Sequence, residues 1–236
     1  MSKEGKGVLV KSVLQAVPTY TMGCFMLPKK LCGQLTSVSS NFWWGANEGQ
    51  RKVHWISWDR MCEPKGRGGL GFRNYSDFNQ ALLAKQAWRI VTNPDSLCSR
   101  VLRARYFKAG DILTASCPKR ASYTWRSILH GRDLLKEGLI WRVGDGTNIK
   151  VWEDNWIPRS SLKRPLGRLQ DAPENFQHVS ELLLPDGSGW DVDKLRANFF
   201  EMDVTDILKI SVGRAGTEDN AAWNYTKNGM LNVRLA

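Results

Sequence analysis

The chain has 236 residues, 42% of them hydrophobic and 24% charged, with a formal net charge of +11. That length allows one large domain or two small ones with a real core. Five cysteines (Cys24, Cys32, Cys62, Cys98, Cys117) form no CxxC pair, and no His stands at zinc-ligand spacing. A disulfide framework and a zinc site are therefore not indicated, and reduced thiols in an intracellular protein, nuclear or cytoplasmic, are expected.

No apolar run approaches the roughly eighteen residues of a membrane span, and the N-terminus lacks an apolar signal core. The charge is uneven. Residues 1–159 hold 25 Lys and Arg against 12 Asp and Glu, whereas residues 160–236 hold 9 against 11. Nine of the eleven tryptophans also precede residue 160. Cations interleaved with aromatics are what a nucleic-acid surface uses, although most tryptophans are simply core.

In chain order, residues 6–17 predict a helix with Leu9, Val13, Ala16 and Val17 on one stripe, stopped by Pro18. A short helix through Met26 follows. A third starts at Pro28 and runs to about Trp44, with Leu31, Leu35, Val38 and Phe42 at helical spacing. These three make a small bundle. Its lysines Lys3, Lys6, Lys11, Lys29 and Lys30 are candidates for phosphate contact, or else ordinary solvated cations.

Residues 54–90 carry the densest pattern. Trp55 and Trp58 lead into a basic, glycine-rich turn (Lys65, Gly66, Arg67, Gly68, Gly69, Gly71), then Arg73 and a helix capped by Asn74. Ala81, Leu83, Ala84, Ala87, Trp88, Ile90 and Val91 share one half of the helical wheel. Asn79, Lys85, Gln86 and Arg89 share the other. Asn93-Pro94 ends the helix. The glycines serve positive φ or a close backbone approach, so the turn reads as a solvated basic loop or as a phosphate cradle.

Ser96–Phe107 predicts a helix with Leu97, Val101, Leu102 and Tyr106 apolar and with Arg100, Arg103, Arg105 and Lys108 clustered as a possible backbone-contacting ridge. Ser122–Lys136 predicts another. Residues 139–153 change period around Asp145-Gly146 and predict a β-hairpin that places Trp141 near Trp152. Residues 159–175 read as a linker, and short helices follow within 176–236. Ala222–Met230 turns at Asn228-Gly229 like the start of a further domain, so the chain reads as cut from something longer. The expected class is mainly α: a helical bundle over 1–50, a helical region over 51–158 that ends in the hairpin, the linker, and the last segment.

The order Trp43-Trp44-Gly45, His54 to Trp58, Cys62 to Arg73, Phe78 to Arg89, Tyr106-Phe107, Ser122 to Ile128, Trp141 to Gly146 and Trp152 to Ile157 resembles the region downstream of the polymerase core in plant non-LTR (LINE-type) reverse transcriptases. The likeness runs from about residue 5 to residue 158. It implies a thumb-like role for the N-terminal bundle. It also implies partners in RNA–DNA hybrid or duplex, and in the polymerase and ribonuclease H domains of the parent polyprotein.

The catalytic pair of such a polymerase is Asp-Asp, which holds two metals. No Asp-Asp occurs here; Glu153-Asp154 and Glu218-Asp219 are the only adjacent carboxylates. The expectation is a non-catalytic segment, without cofactor, that binds nucleic acid whatever its sequence. A bracing connector between domains and an active polymerase or nuclease are the rival readings.

Overall fold

The structure, a computed structural model, describes residues 1–45, 53–108, 110–167, 175–213 and 216–233. The chain divides into two compact units, Met1–Lys136 and Glu137–Leu235. The expected boundary near residue 50 and residues 168–174 of the expected linker lie outside the described residues.

The first unit is helical. Helix α1 (Lys3–Leu9) is capped by Ser2, whose side chain accepts from Gly5 N, and it runs on into one π-turn, Val10–Leu14. Pro18 precedes α2 (Thr19–Met22), and Pro28 precedes α3 (Lys29–Trp44), which Gly45 ends in the left-handed region at φ 71°. Helix α4 (Trp58–Cys62) starts at the cap Ser57, and α5 (Tyr75–Thr92) at Asn74, whose side chain accepts from Ser76 N and Asp77 N. Helices α6 (Leu97–Tyr106) and α7 (Tyr123–Gly138) follow, and the division between the units falls in the last turn of α7.

The wheel of α5 is realised: Ala81, Leu83, Ala84, Ala87, Trp88 and Ile90 are buried, while Lys85 and Arg89 are exposed. Asn79 departs from it. Expected on the polar side, Asn79 is buried because its amide donates to the carbonyls of Met22 (2.7 Å) and Phe25 (2.9 Å), and its Oδ1 accepts from Leu27 N (2.7 Å). It satisfies the groups left over where α2 ends, which a buried helix end requires.

Helices α5 and α7 touch backbone to backbone. A Cβ at Gly131 would lie 2.2 Å from the Leu83 carbonyl carbon. The neighbouring core gathers Val10, Met22, Trp43, Trp58, Met61, Phe72 and Tyr75, with the Trp58 and Phe72 rings stacked at 5.2 Å.

Two apolar stripes depart from expectation, the first wholly and the second in part. Leu9, Val13 and Val17 are exposed, because Val10 and Leu14 face the core instead. On α6, Leu97 and Val101 are exposed, and Ser99 is the residue that helix buries.

In the second unit, β1 (Leu139–Arg142) forms where the period changes, but its partner corrects the expected hairpin. It pairs antiparallel with β2 (Asn220–Trp223), Leu139 opposite Trp223 and Arg142 opposite Asn220. Residues 149–152 form no strand with it. The class stays mainly α, with one two-stranded antiparallel sheet among the described residues.

The pairing is distant because Asp219 ties the Gly144-Asp145-Gly146 turn to the strand entry. Its carboxylate accepts from Gly144 N (2.8 Å), Gly146 N (3.0 Å) and Asn148 N (2.9 Å). A Cβ at Gly144 would lie 2.2 Å from the Thr217 carbonyl oxygen, so glycine is required there.

Trp152 does not meet Trp141 across a hairpin. It stacks on Phe199 at 5.0 Å and donates to the Phe176 carbonyl. Helices α8 (Val192–Asn198) and α9 (Glu201–Ile207) complete this core, with Trp156, Ile157, Val179 and Leu182. Residues 159–167, linker-like in composition, are held down. Arg159 bridges Asp203 and Asp206, each at 2.7 Å, and the buried Lys163 donates to the Glu137 carbonyl.

Candidate nucleic-acid interface

Of the charges in the first unit, 22 are Lys or Arg and 8 are Asp or Glu. Among the described residues, Lys29, Lys30, Lys65, Arg67, Arg73, Lys85, Arg89, Arg100, Arg103 and Arg105 are exposed, and none belongs to an ion pair. Cations left without a carboxylate neighbour keep their field for an outside anion.

The N-terminal lysines behave differently. Lys3 lies over the Trp43 and Trp44 rings, at 5.0 and 4.7 Å from their centres. Lys6 donates to the Trp43 carbonyl, and Lys11 donates to the Leu70 carbonyl at 2.7 Å and lies over Phe72. These three help fasten the bundle as well as charging it.

The glycine-rich turn resolves in favour of the basic loop. Lys65–Arg67 is one 3-10 turn, and Gly68 (φ 81°) and Gly71 (φ 63°) occupy conformations that favour glycine. A Cβ at Gly69 would fall 2.0 Å from the Glu63 carbonyl oxygen, so the close approach is to the protein's own backbone. The amides of Gly68, Gly69, Leu70 and Gly71 donate to the carbonyls of Lys65, Pro64, Met61 and Glu63. They are thus not available to cradle a phosphate, and the side chains are what the turn presents.

The fold brings some candidates together and leaves others apart. Lys11 Nζ lies 3.8 Å from where a Cβ would stand on Gly71, and an Arg60 guanidinium nitrogen lies 3.9 Å from the same point on Gly68. Lys11, Arg60, Lys65 and Arg67 therefore frame one turn. Arg73 lies over the Phe78 ring at 4.2 Å. Lys85 and Arg89 stand one turn apart on the exposed side of α5, and Lys29 and Lys30 open α3, where a helix dipole disfavours cations.

Arg60 was missed by sequence reasoning, since nothing in the spacing brings it to Gly68. A second missed group adjoins α6. The Tyr106 hydroxyl and Ser122 Oγ hydrogen-bond at 3.0 Å, and Tyr106 stacks on Trp125 at 4.6 Å. That contact places the exposed Lys119, Arg120 and Arg126 on the segment that packs against the end of α6 carrying Arg105. The hydrogen bonds with Ser122 hold the Tyr106 phenol below its ordinary range, with the Arg105 guanidinium contributing less.

Three carboxylates of the adjacent acidic pairs and one thiol are engaged within the fold. Glu153 pairs with Lys150, and Asp154 accepts from Lys150 N. Asp219 of the other adjacent pair is engaged by three amides, as described above. Burial, with Asp59, Asp77 and Glu63 nearby, pushes the Cys62 thiol up to about 12, so it stays protonated. Among the described residues, no group of three or more His, Cys, Asp or Glu is assembled to hold a metal ion, and no helix is long and apolar enough to cross a membrane.

Fold and surface thus define a mainly helical chain with one strongly basic unit. It is 49% identical over 152 residues to the uncharacterized mitochondrial protein AtMg00310 of Arabidopsis thaliana, a match that takes in 99% of that protein and 64% of this chain. The chain belongs to that protein's family. It is also 32% identical, along its whole length, to the putative ribonuclease H protein At1g65750 of Arabidopsis thaliana, and it spans 38% of that longer relative. No protein-family profile and no solved structure matches it.

Proposed function

We propose that the chain is a non-catalytic segment of a LINE-type reverse transcriptase polyprotein, and that its first unit binds RNA–DNA hybrid or duplex through the phosphates, without regard to sequence. The observation that carries this reading is the set of exposed cations outside any ion pair among the described residues, on a unit with 22 Lys and Arg against 8 acids. Contacts that ignore sequence need only positive charge along the backbone. The ribonuclease H name of the longer relative agrees with an origin in nucleic-acid metabolism.

The non-catalytic part rests on the absence of an Asp-Asp pair from the sequence. A primer-extension assay with magnesium checks it, and incorporation above background would show that the chain is an enzyme. For binding, Lys65, Arg67, Arg73, Lys85 and Arg89 are replaced together by alanine. The expected loss of duplex affinity is at least about tenfold at low salt, because each neutralised phosphate releases counterions. An unchanged affinity would reject the interface.

A second reading, a connector that braces neighbouring domains, is favoured by one observation. Leu9 (38%), Val13 (46%), Val17 (76%) and Tyr20 (86%) leave apolar surface in water along the first helices. Under this reading the fivefold variant keeps its nucleic-acid affinity, while the chain self-associates in a way that Val17→Ser and Tyr20→Ser reduce.

A further inference from the structure

Val53, His54, Trp55 and Ile56 are exposed in a row, and Trp55 is the extreme at 80%. An indole offers a large flat apolar face, and this one is presented from a fixed place. On its N-terminal side, the His54 ring stacks on Trp44 at 6.0 Å with an 18° tilt, and His54 Nδ1 lies 3.3 Å from Ser40 Oγ. On its C-terminal side, Ser57 caps α4, and Trp58 Nε1 donates to the Arg73 carbonyl.

Cations flank it. Lys3 lies 4.7 Å from the Trp44 ring centre, on the ring against which His54 stacks. One turn into α4 stands Arg60, beside Gly68 at the end of the Lys65–Arg67 turn.

We infer that Trp55 is a stacking platform for an unpaired base of single-stranded nucleic acid, with Arg60, Lys65 and Arg67 receiving the adjoining phosphates. The inference rests on the reading of the first unit as a nucleic-acid binder and adds a preference that phosphate contacts alone do not give. A duplex keeps its bases stacked on one another, so an outlying indole has no face to meet there, whereas a single strand offers every base. Charge complementarity favours a nucleic acid over an apolar protein partner, since Arg60, Lys65 and Arg67 have no carboxylate ion pair among the described residues.

The test is fluorescence anisotropy of the full chain with a labelled oligo(dT) single strand and, separately, a labelled duplex, at low salt. Trp55→Leu keeps apolar bulk but removes the π face, and Trp55→Phe keeps a smaller π face. Because the side chain is exposed, neither change threatens the fold. Trp55→Leu is expected to lower single-strand affinity about tenfold and Trp55→Phe less than about threefold, in line with base–aromatic stacking, with duplex affinity nearly unchanged. Arg60→Ala weakens both.

If Trp55→Leu leaves single-strand binding intact while the wild type binds both forms, the platform is overturned and the phosphate interface stands. Equal losses on single strand and duplex also overturn it. A wild-type chain that binds neither form overturns the platform together with the proposed function.

Discussion

The first unit holds 22 Lys and Arg against 8 acids, and among its described residues the one ion pair is between the neighbours Arg132 and Asp133. The second holds 12 against 15 and pairs them internally: Arg159 with Asp203 and Asp206, Lys209 with Asp206, Lys194 with Asp191, and Lys150 with Glu153. Both units bury tryptophans, so core chemistry does not distinguish them. Charge does: the second unit uses it to hold its own loops, and the first directs it outward.

The largest effect should come from breaking the internal pairing. Asp203 has no solvent exposure and accepts from Arg159 and from Leu166 N. Asp203→Ala takes one of two carboxylates from the largely buried Arg159, leaves the Leu166 amide without its acceptor, and is expected to cost about 3 kcal/mol. Hydrogen exchange should show the second unit opening first. An equal loss of protection in both units would mean that charge does not divide them.

Next is packing in the first unit. Gly131→Ala drives a methyl into the Leu83 backbone, and overpacking of this kind costs about 1–3 kcal/mol. Urea unfolding measures it, and a neutral result would mean that α5 and α7 can part without cost.

Salt should act smaller and in opposite senses. Raising ionic strength screens the self-repulsion of the cation-rich unit and weakens the exposed pairs of the other. Amide exchange should slow in α5 and α6 relative to α8 and α9. A uniform response would blur the comparison.

The smallest effect is acid sensitivity. Hydrogen bonds from Lys209 and then Arg159 hold the Asp206 carboxyl below its ordinary value. A depressed folded-state pKa gives stability that is fully present above the unfolded value, about pH 4, and is lost as pH falls below it through the lower folded value. Asp206→Asn should therefore lower the urea midpoint at pH 7 and change little below about pH 3, which flattens the acid limb. A limb of unchanged slope would exclude Asp206 as its source.

Much of the helical architecture is legible in the sequence because helix faces and caps are local. Asn74, Pro18, Pro28 and the apolar half of α5 all sit where their chemistry directs. What escapes is whatever depends on which surface is covered. The helical period of residues 3–20 yields two apolar sets, Val10 with Leu14 and Leu9 with Val13, and only packing chooses between them.

The partner of β1 escapes for a related reason. Trp152 looked like the cross-strand neighbour of Trp141, yet the Asp219 carboxylate, distant in sequence, fixes the Gly144–Asn148 turn and brings β2 in. In the candidate interface, the cations on each helix were visible singly. Their neighbours Arg60, Lys119, Arg120 and Arg126 were not, because the contacts that gather them pass through Gly68 and the Tyr106–Trp125 stack.

The central claim is that the outward charge of the first unit binds phosphates, and the salt dependence of duplex affinity tests it most directly. With five or six phosphates neutralised, the plot of log affinity against log salt should fall with a slope of about −5. A slope near zero, or no binding at about 50 mM salt, would contradict the account.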